Sequence, residues 1–186
     1  MQVIAHRANS LALVKQALDW GCDYAEVDVW ENAAGELMVT RNVEAGGDSL
    51  DSILTLPIGL YLDVRHASAN TIARALAGRE RTVIWSPLSY LQRLHEFDAA
   101  LPVMPQAESE EHLAAALHHL KPAAVAFDHR DFTPSLISRA QKAGARIFVD
   151  RLREHDQPWR WEEAWQAGAD AIQTDRPREL LRSLGR

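Results

Sequence analysis

The chain of 186 residues is 47% hydrophobic and carries a formal net charge of −6; it can bury a real core, is short for two domains, and is read as a single domain over residues 1–186. Its acidity excludes the cationic excess that non-specific nucleic-acid binding needs, its apolar runs fall short of the roughly 18 residues of a membrane span, and the lone Cys22 leaves neither an internal disulfide nor a thiolate metal cage. The opening MQVIAHRANS lacks the charged, apolar, small-residue succession of a secretory signal, so the expected location is cytoplasmic.

Taken in chain order, a β-rich run at residues 2–5 is followed by Leu11, Val14 and Leu18 at helical spacing, and a second strand spans 24–29. Residues 30–57 break the rhythm. They hold a short apolar run, Leu37 to Val39, a Gly-rich stretch, Glu44-Ala45-Gly46-Gly47, and room for only a short turn of helix at 49–54; such excursions are where functional loops are expected. Further strands are predicted at 59–64, 82–85, 102–104, 124–127, 146–149 and 171–173. Helical stripes lie between them at Leu88, Leu91 and Leu94, at Leu113, Ala116, Leu117 and Leu120, and at Leu136, Ile137 and Ala140. Four joins use one device, a glycine just after a helix (Gly21, Gly78, Gly144, Gly168) and then the next strand, as a left-handed helix end requires.

Alternating strands and helices imply parallel strands with right-handed crossovers. Eight strands favour an α/β fold of the compact (β/α)8 TIM-barrel type, without an inserted domain, over an open doubly wound sheet. In such a barrel chemistry gathers at the C-terminal strand ends, and polar residues cluster there: His6-Arg7, Glu26 and Asp28, Asp63 and Arg65, Asp128-His129, Asp150-Arg151 and Thr174-Asp175-Arg176. Glu26 and Asp28 alternate with Val27 and Val29, so both carboxylates face inward. With Asp63 from a neighbouring strand they form an all-oxygen set suited to Mg²⁺ or Ca²⁺ and poorly suited to zinc. The same acids could instead pair with Arg7 and Arg65 in a network that only closes the barrel. With Lys15, Lys121 and Lys142 the only lysines, nearly all positive charge is guanidinium, which forks onto carboxylate or phosphate. His6, beside Arg7 and opposite carboxylates, reads as an acid/base group.

These residues also match a known pattern. Ile4-Ala5-His6-Arg7, then Asn9-Ser10-Leu11-Ala12, Glu26-Val27-Asp28-Val29 and Gly35-Glu36-Leu37-Met38-Val39, together with Tyr61-Leu62-Asp63-Val64-Arg65 and the tail Gly168-Ala169-Asp170-Ala171-Ile172-Gln173-Thr174-Asp175-Arg176-Pro177, resemble the glycerophosphodiester phosphodiesterase family. The resemblance spans residues 4 to 177. It implies a (β/α)8 barrel that hydrolyses glycerol-linked phosphodiesters with a divalent cation and two histidines. His6 and Arg7 take the positions of the first histidine and arginine; Glu26, Asp28 and Asp63 take those of the metal carboxylates. Asp63 stands for a glutamate, Arg65 for a lysine and Ala8 for a glycine. Gapless counting from Glu26 places Arg41-Asn42 where the family has its second histidine, in a His-Asp pair, and arginine cannot give up a proton usefully near neutrality.

The expected function is therefore a cation-dependent phosphodiester hydrolase with an altered general acid, taking a small-molecule phosphodiester. His6 and Arg7 carry the chemistry, Arg7, Arg41 and Arg65 hold phosphoryl oxygens, and Glu26, Asp28 and Asp63 hold the cation. The alternative is a barrel that binds phosphate or phosphodiester without turnover, as a sensor or interaction protein; an unrelated lyase or isomerase on the same fold is a third reading. His66 and His129, just past barrel strands, are candidates for the missing acid, His155 a weaker one, and His95, His112, His118 and His119 sit in helical patterns. Trp161 and Trp165 share a helix face and read as packing or as the surface of a homo-oligomer.

Overall fold

A computed structural model describes residues 1–42, 44 and 46–186; Val43 and Ala45, in and beside the Gly-rich stretch, lie outside the described residues. The chain runs β1 (Gln2–Ala5), α1 (Leu11–Trp20), β2 (Tyr24–Glu31), β3 (Leu37–Val39), β4 (Asp48–Ser49), α2 (Leu50–Leu54), β5 (Gly59–His66), α3 (Ala69–Leu76) and β6 (Thr82–Trp85). It continues with α4 (Leu88–Phe97), α5 (Glu110–Leu120), β7 (Ala124–Phe127), α6 (Pro134–Lys142), β8 (Arg146–Asp150), a 3₁₀ turn (Arg153–His155), α7 (Pro158–Gln166), β9 (Ala171–Thr174) and α8 (Pro177–Ser183).

Pairing is parallel around a ring: β6 to β5, β5 to β2, β2 to β1, β1 to β9, β9 to β8 and β8 to β7. Residues 102–107 close it. Ile84 bridges Val103 and Gln106 bridges Ala126, both in parallel, through Met104 N–H to Ile84 O at 2.8 Å and Ala107 N–H to Ala126 O at 2.8 Å. The strand predicted at 102–104 is thus a single isolated bridge at Val103, with a second just beyond it at Gln106, rather than a regular ladder, because Pro102 and Pro105 have no N–H to contribute. The excursion after β2 is an antiparallel flap outside the ring, β3 against β2 and β4 against β3, followed by the short α2.

Side-chain alternation explains both faces of the ring. Outward residues such as Val3, Ala25, Val27, Leu60, Leu62 and Ile147 pack under the helices. Inward residues Ile4, Tyr24, Tyr61, Val83, Met104 and Phe148 form a separate apolar floor. Gly59 makes that floor possible, since a Cβ there would lie 2.5 Å from the Tyr24 ring. One period further along the same inward rows come His6, Glu26, Asp63 and Asp150, so the interior changes from apolar to ionisable towards the strand ends. The helix ends follow the sequence: Ser10, Ser68, Ser109 and Thr133 cap N-termini with their side chains, and Gly21 ends α1 at φ 87°.

Candidate active site

Glu26 and Asp28 project from β2 and Asp63 from β5, with Asp28 directly opposite Asp63 in the ladder. All three are buried, at 3%, 2% and 7% exposure, and each offers an oxygen within 4.8 Å of the others. Arg7 leaves β1 in a left-handed conformation, φ 57°, uncommon for a side-chain-bearing residue, and its N–H donates to Glu26 Oε2 at 2.6 Å. Asn9 brackets Asp28: its Nδ2 donates to Asp28 Oδ2 at 2.5 Å and its Oδ1 accepts from Asp28 N–H at 2.6 Å. The Arg65 fork spans two acids, Nε to Asp28 Oδ1 at 2.6 Å and Nη2 to Asp63 Oδ2 at 2.6 Å. Arg41, more exposed, reaches Asp28 Oδ2 from Nη1 at 3.3 Å. Both oxygens of Asp28 are therefore engaged, whereas Asp63 Oδ1 is buried without a hydrogen-bond partner.

Crowding acids in a dry place keeps protons on them. Burial, reinforced by Asp28, Asp63 and Asp150 and only partly offset by the Arg7 N–H, pushes Glu26 up to about 8. Burial also pushes Asp63 up to about 7 despite Arg65, and Asp150, whose carboxyl lies in the same mouth, up to about 7. Hard oxygen donors, an orphaned Asp63 oxygen and mutually repelling acids fit a hard divalent cation.

His6 sits at the end of β1 with Nδ1 2.6 Å from Asp175 Oδ1, just past β9. With Nδ1–H given to the carboxylate, Nε2 is the acceptor that faces the mouth. Burial holds His6 below the ordinary histidine range, against the pull of Asp175, so the ring is a neutral base at pH 7. The Asp175 segment is fixed by Asp156, itself 2% exposed. Asp156 accepts from Thr174 Oγ1 at 2.6 Å, from Trp161 Nε1 at 2.8 Å and from Asp175 N–H at 2.8 Å. Trp161 is buried in the core beneath the helices while Trp165 stays half exposed, so the two tryptophans do not share one environment.

A cavity of about 260 Å³ opens here, lined by His6, Arg7, Asp128, His129, His155 and Asp175 among others. A larger one, about 680 Å³ and lined by residues such as Leu37, Met38, Asp51 and Arg74, lies at the flap and away from the strand ends. The fold thus brings His6, Arg7, Glu26, Asp28, Asp63 and Arg65 to one end of the ring, with Arg41 at its edge. His66 is exposed at the end of β5, His95 lies in α4, and His112, His118 and His119 lie in α5. The roles of Asn9, Asp150 and Asp156 escaped sequence reasoning. Asn9 and Asp150 sit within the motifs and strand ends already singled out, and Asp156 lies in a loop without any signal.

No protein-family model and no curated protein matches the sequence. Solved structures do match. A glycerophosphodiester phosphodiesterase from Agrobacterium tumefaciens superposes with a TM-score of 0.83 at 20% identity, over 96% of this chain and 97% of that one. A phosphodiesterase from Oleispira antarctica, solved with the product sn-glycerol-3-phosphate, superposes at 0.81 and 15% identity over 100% and 97%. A glycerophosphodiester phosphodiesterase from Parabacteroides distasonis superposes at 0.80 and 18% identity over 100% and 98%. The chain therefore has the α/β barrel fold on which these phosphodiesterases are built.

Proposed function

We propose that the protein is a divalent-cation-dependent phosphodiester hydrolase acting, as one domain, on small glycerophosphodiester-like molecules. The observation that carries this reading is the juxtaposition, at one end of the ring, of three buried carboxylates with an orphaned Asp63 oxygen and a His6–Asp175 pair at 2.6 Å.

Glu26, Asp28 and Asp63 would hold Mg²⁺ or Ca²⁺. Bound there, the cation would neutralise charge developing on the phosphoryl oxygens. Arg7 lines the cavity and makes no ion pair among the described residues, so its guanidinium is available to a phosphoryl oxygen. Arg41 and Arg65 supply positive charge at the carboxylate side and turn their remaining N–H groups to the same anion. His6 Nε2 accepts the proton of the attacking hydroxyl, and Asp175 stabilises the imidazolium that forms. That hydroxyl belongs either to water, giving a monoester, or to the substrate itself, giving a cyclic phosphate.

The test is turnover of glycerophosphodiesters with Mg²⁺ or Ca²⁺, then with a chelator. Hydrolysis that is lost on chelation and restored by the cation is expected. Measurable cation binding without turnover of any diester would instead support a barrel that binds and does not hydrolyse.

A further inference from the structure

The wall of the cavity away from His6 is made by the loops after β7 and β8. There the rings of His129 and His155 stack, with centroids 3.7 Å apart and planes 22° from parallel. His129 Nδ1 lies 2.9 Å from Asp128 Oδ1, a charge contact without hydrogen-bond alignment, so neither ring nitrogen is tied down by it. Arg130 holds Asp128 in turn, through its N–H and its Nε, each at 3.0 Å. Although partial burial opposes it, these bonds keep Asp128 below the usual carboxylate range, so the group facing His129 is an anion.

Two histidine–aspartate pairs therefore line one cavity, His6 with Asp175 and His129 with Asp128. Their strands, β1 and β7, are three ladder steps apart around the ring, about 14 Å of rim at the usual strand spacing. That span suits a phosphoryl group held between an attacking oxygen and a leaving oxygen in line with it. Displacement at phosphorus needs a proton taken on one side and a proton given on the other, and Arg41, where the second histidine is expected, cannot give one.

We propose that His129 is the proton donor to the leaving alcohol, with Asp128 and His155 as its positioning residues. The proposal rests on the phosphodiesterase reading. As the new oxygen–phosphorus bond forms, His6 Nε2 takes the proton of the attacking hydroxyl. The opposite phosphorus–oxygen bond breaks, its electron pair stays on the alcohol oxygen, and that oxygen takes the proton from His129 Nε2. The cycle leaves His6 protonated and His129 neutral, and exchange with water restores both. Asp128 places its carboxylate beside Nδ1 of the ring, while the stacked His155 fixes its plane.

The experiment compares a glycerophosphodiester of a poor leaving group, ethanolamine, with one of a good leaving group, p-nitrophenol, in the wild-type protein and in His129→Gln. The ratio of the ethanolamine rate to the nitrophenol rate is expected to fall about a hundredfold or more, the range general acids contribute. Thermal melting and divalent-cation affinity by calorimetry check the fold of the variant. An unchanged ratio in folded, cation-binding His129→Gln overturns the proposal. Failure of the wild-type protein to turn over either diester overturns the underlying reading instead. For His155, H155A is expected to lower kcat on the ethanolamine diester at unchanged KM and H155F, which keeps a stacked ring, to restore it; a loss that Phe does not rescue overturns the positioning role.

Discussion

The two sides of the barrel mouth are built differently. On the carboxylate side, Glu26, Asp28 and Asp63 stand on adjacent regular strands and are clamped by Arg65, Asn9 and the Arg7 N–H. On the histidine side, His129, His155 and Asp175 stand on loops past β7, β8 and β9, and their order comes from side-chain pairs and from Asp156. Strands fix the direction of a side chain through the ladder, whereas loops are free to vary. A proton donor can therefore move from one loop to another while the acids that would hold a cation stay in place.

The sharpest way to break the comparison is on the carboxylate side. Glu26→Gln keeps the bond from the Arg7 N–H but removes a carboxyl that would have to ionise to hold a cation. Several kcal/mol of charge stabilisation depends on the cation, so diester turnover is expected to fall by roughly a thousandfold, together with calorimetric cation affinity. Retention of both would mean that the acids only close the barrel.

On the histidine side, the corresponding change is Asp156→Ala. It strands the buried Thr174 hydroxyl and Trp161 N–H and should cost about 2–4 kcal/mol of stability. It also frees Asp175 from its N–H bond and thus loosens His6. The expected result is a melting temperature lower by several degrees with cation affinity unchanged, since among the described residues no hydrogen bond or ion pair joins Glu26, Asp28 or Asp63 to this loop. Loss of cation affinity in the folded variant would show that the two sides are mechanically one.

A pH series separates them without mutation. Glu26, raised to about 8, and Asp63, raised to about 7, are protonated in the folded chain at pH values where the unfolded chain has ionised them. The folded state then binds more protons, so stability is full below the ordinary carboxylate range and is lost as pH rises through about 7 to 8. In chelator, the melting temperature should fall between pH 5 and 8; Glu26→Gln should lessen that slope, leaving the part due to Asp63 and Asp150, and saturating Mg²⁺ or Ca²⁺ should lessen it further. A melting temperature that rises over this range in chelator would contradict the raised acids.

The fold was legible because its signals are local: period-two strands, helical stripes and the helix-ending glycines all lie within about a dozen residues. The segment at 102–107 was the weak point, since Pro102 and Pro105 reduce a strand to bridges. Glu26 and Asp28 could be placed inward from alternation alone. The pairing of His6 with Asp175 could not, because it needs β1 beside β9, a closure between the two ends of the chain. A pairing of Arg65 with these acids was one of two sequence readings, beside a phosphate contact; that it spans Asp28 and Asp63 together depends on the β2–β5 register that sets those acids side by side. The Asp156 hub and the His129–His155 stack each join separate loops, and nothing in a local pattern announces them.

The smallest expected effect bears most directly on how the two sides divide the work. Arg41 is more than half exposed, its side chain at 54%, and meets Asp28 at only 3.3 Å, so Arg41→His should be tolerated and place an imidazole at the carboxylate edge. If His129 already donates the proton, the new histidine adds a redundant donor. Turnover of the ethanolamine diester should then rise by no more than a few-fold, and that of the nitrophenol diester should not rise. In the His129→Gln background the same change should give a larger gain, because the donor it supplies is then missing. The two substitutions would be non-additive because both act on the same proton transfer. Equal gains in both backgrounds would place the two histidines in independent roles, and no gain in either would count against aligning Arg41 with the family's second histidine.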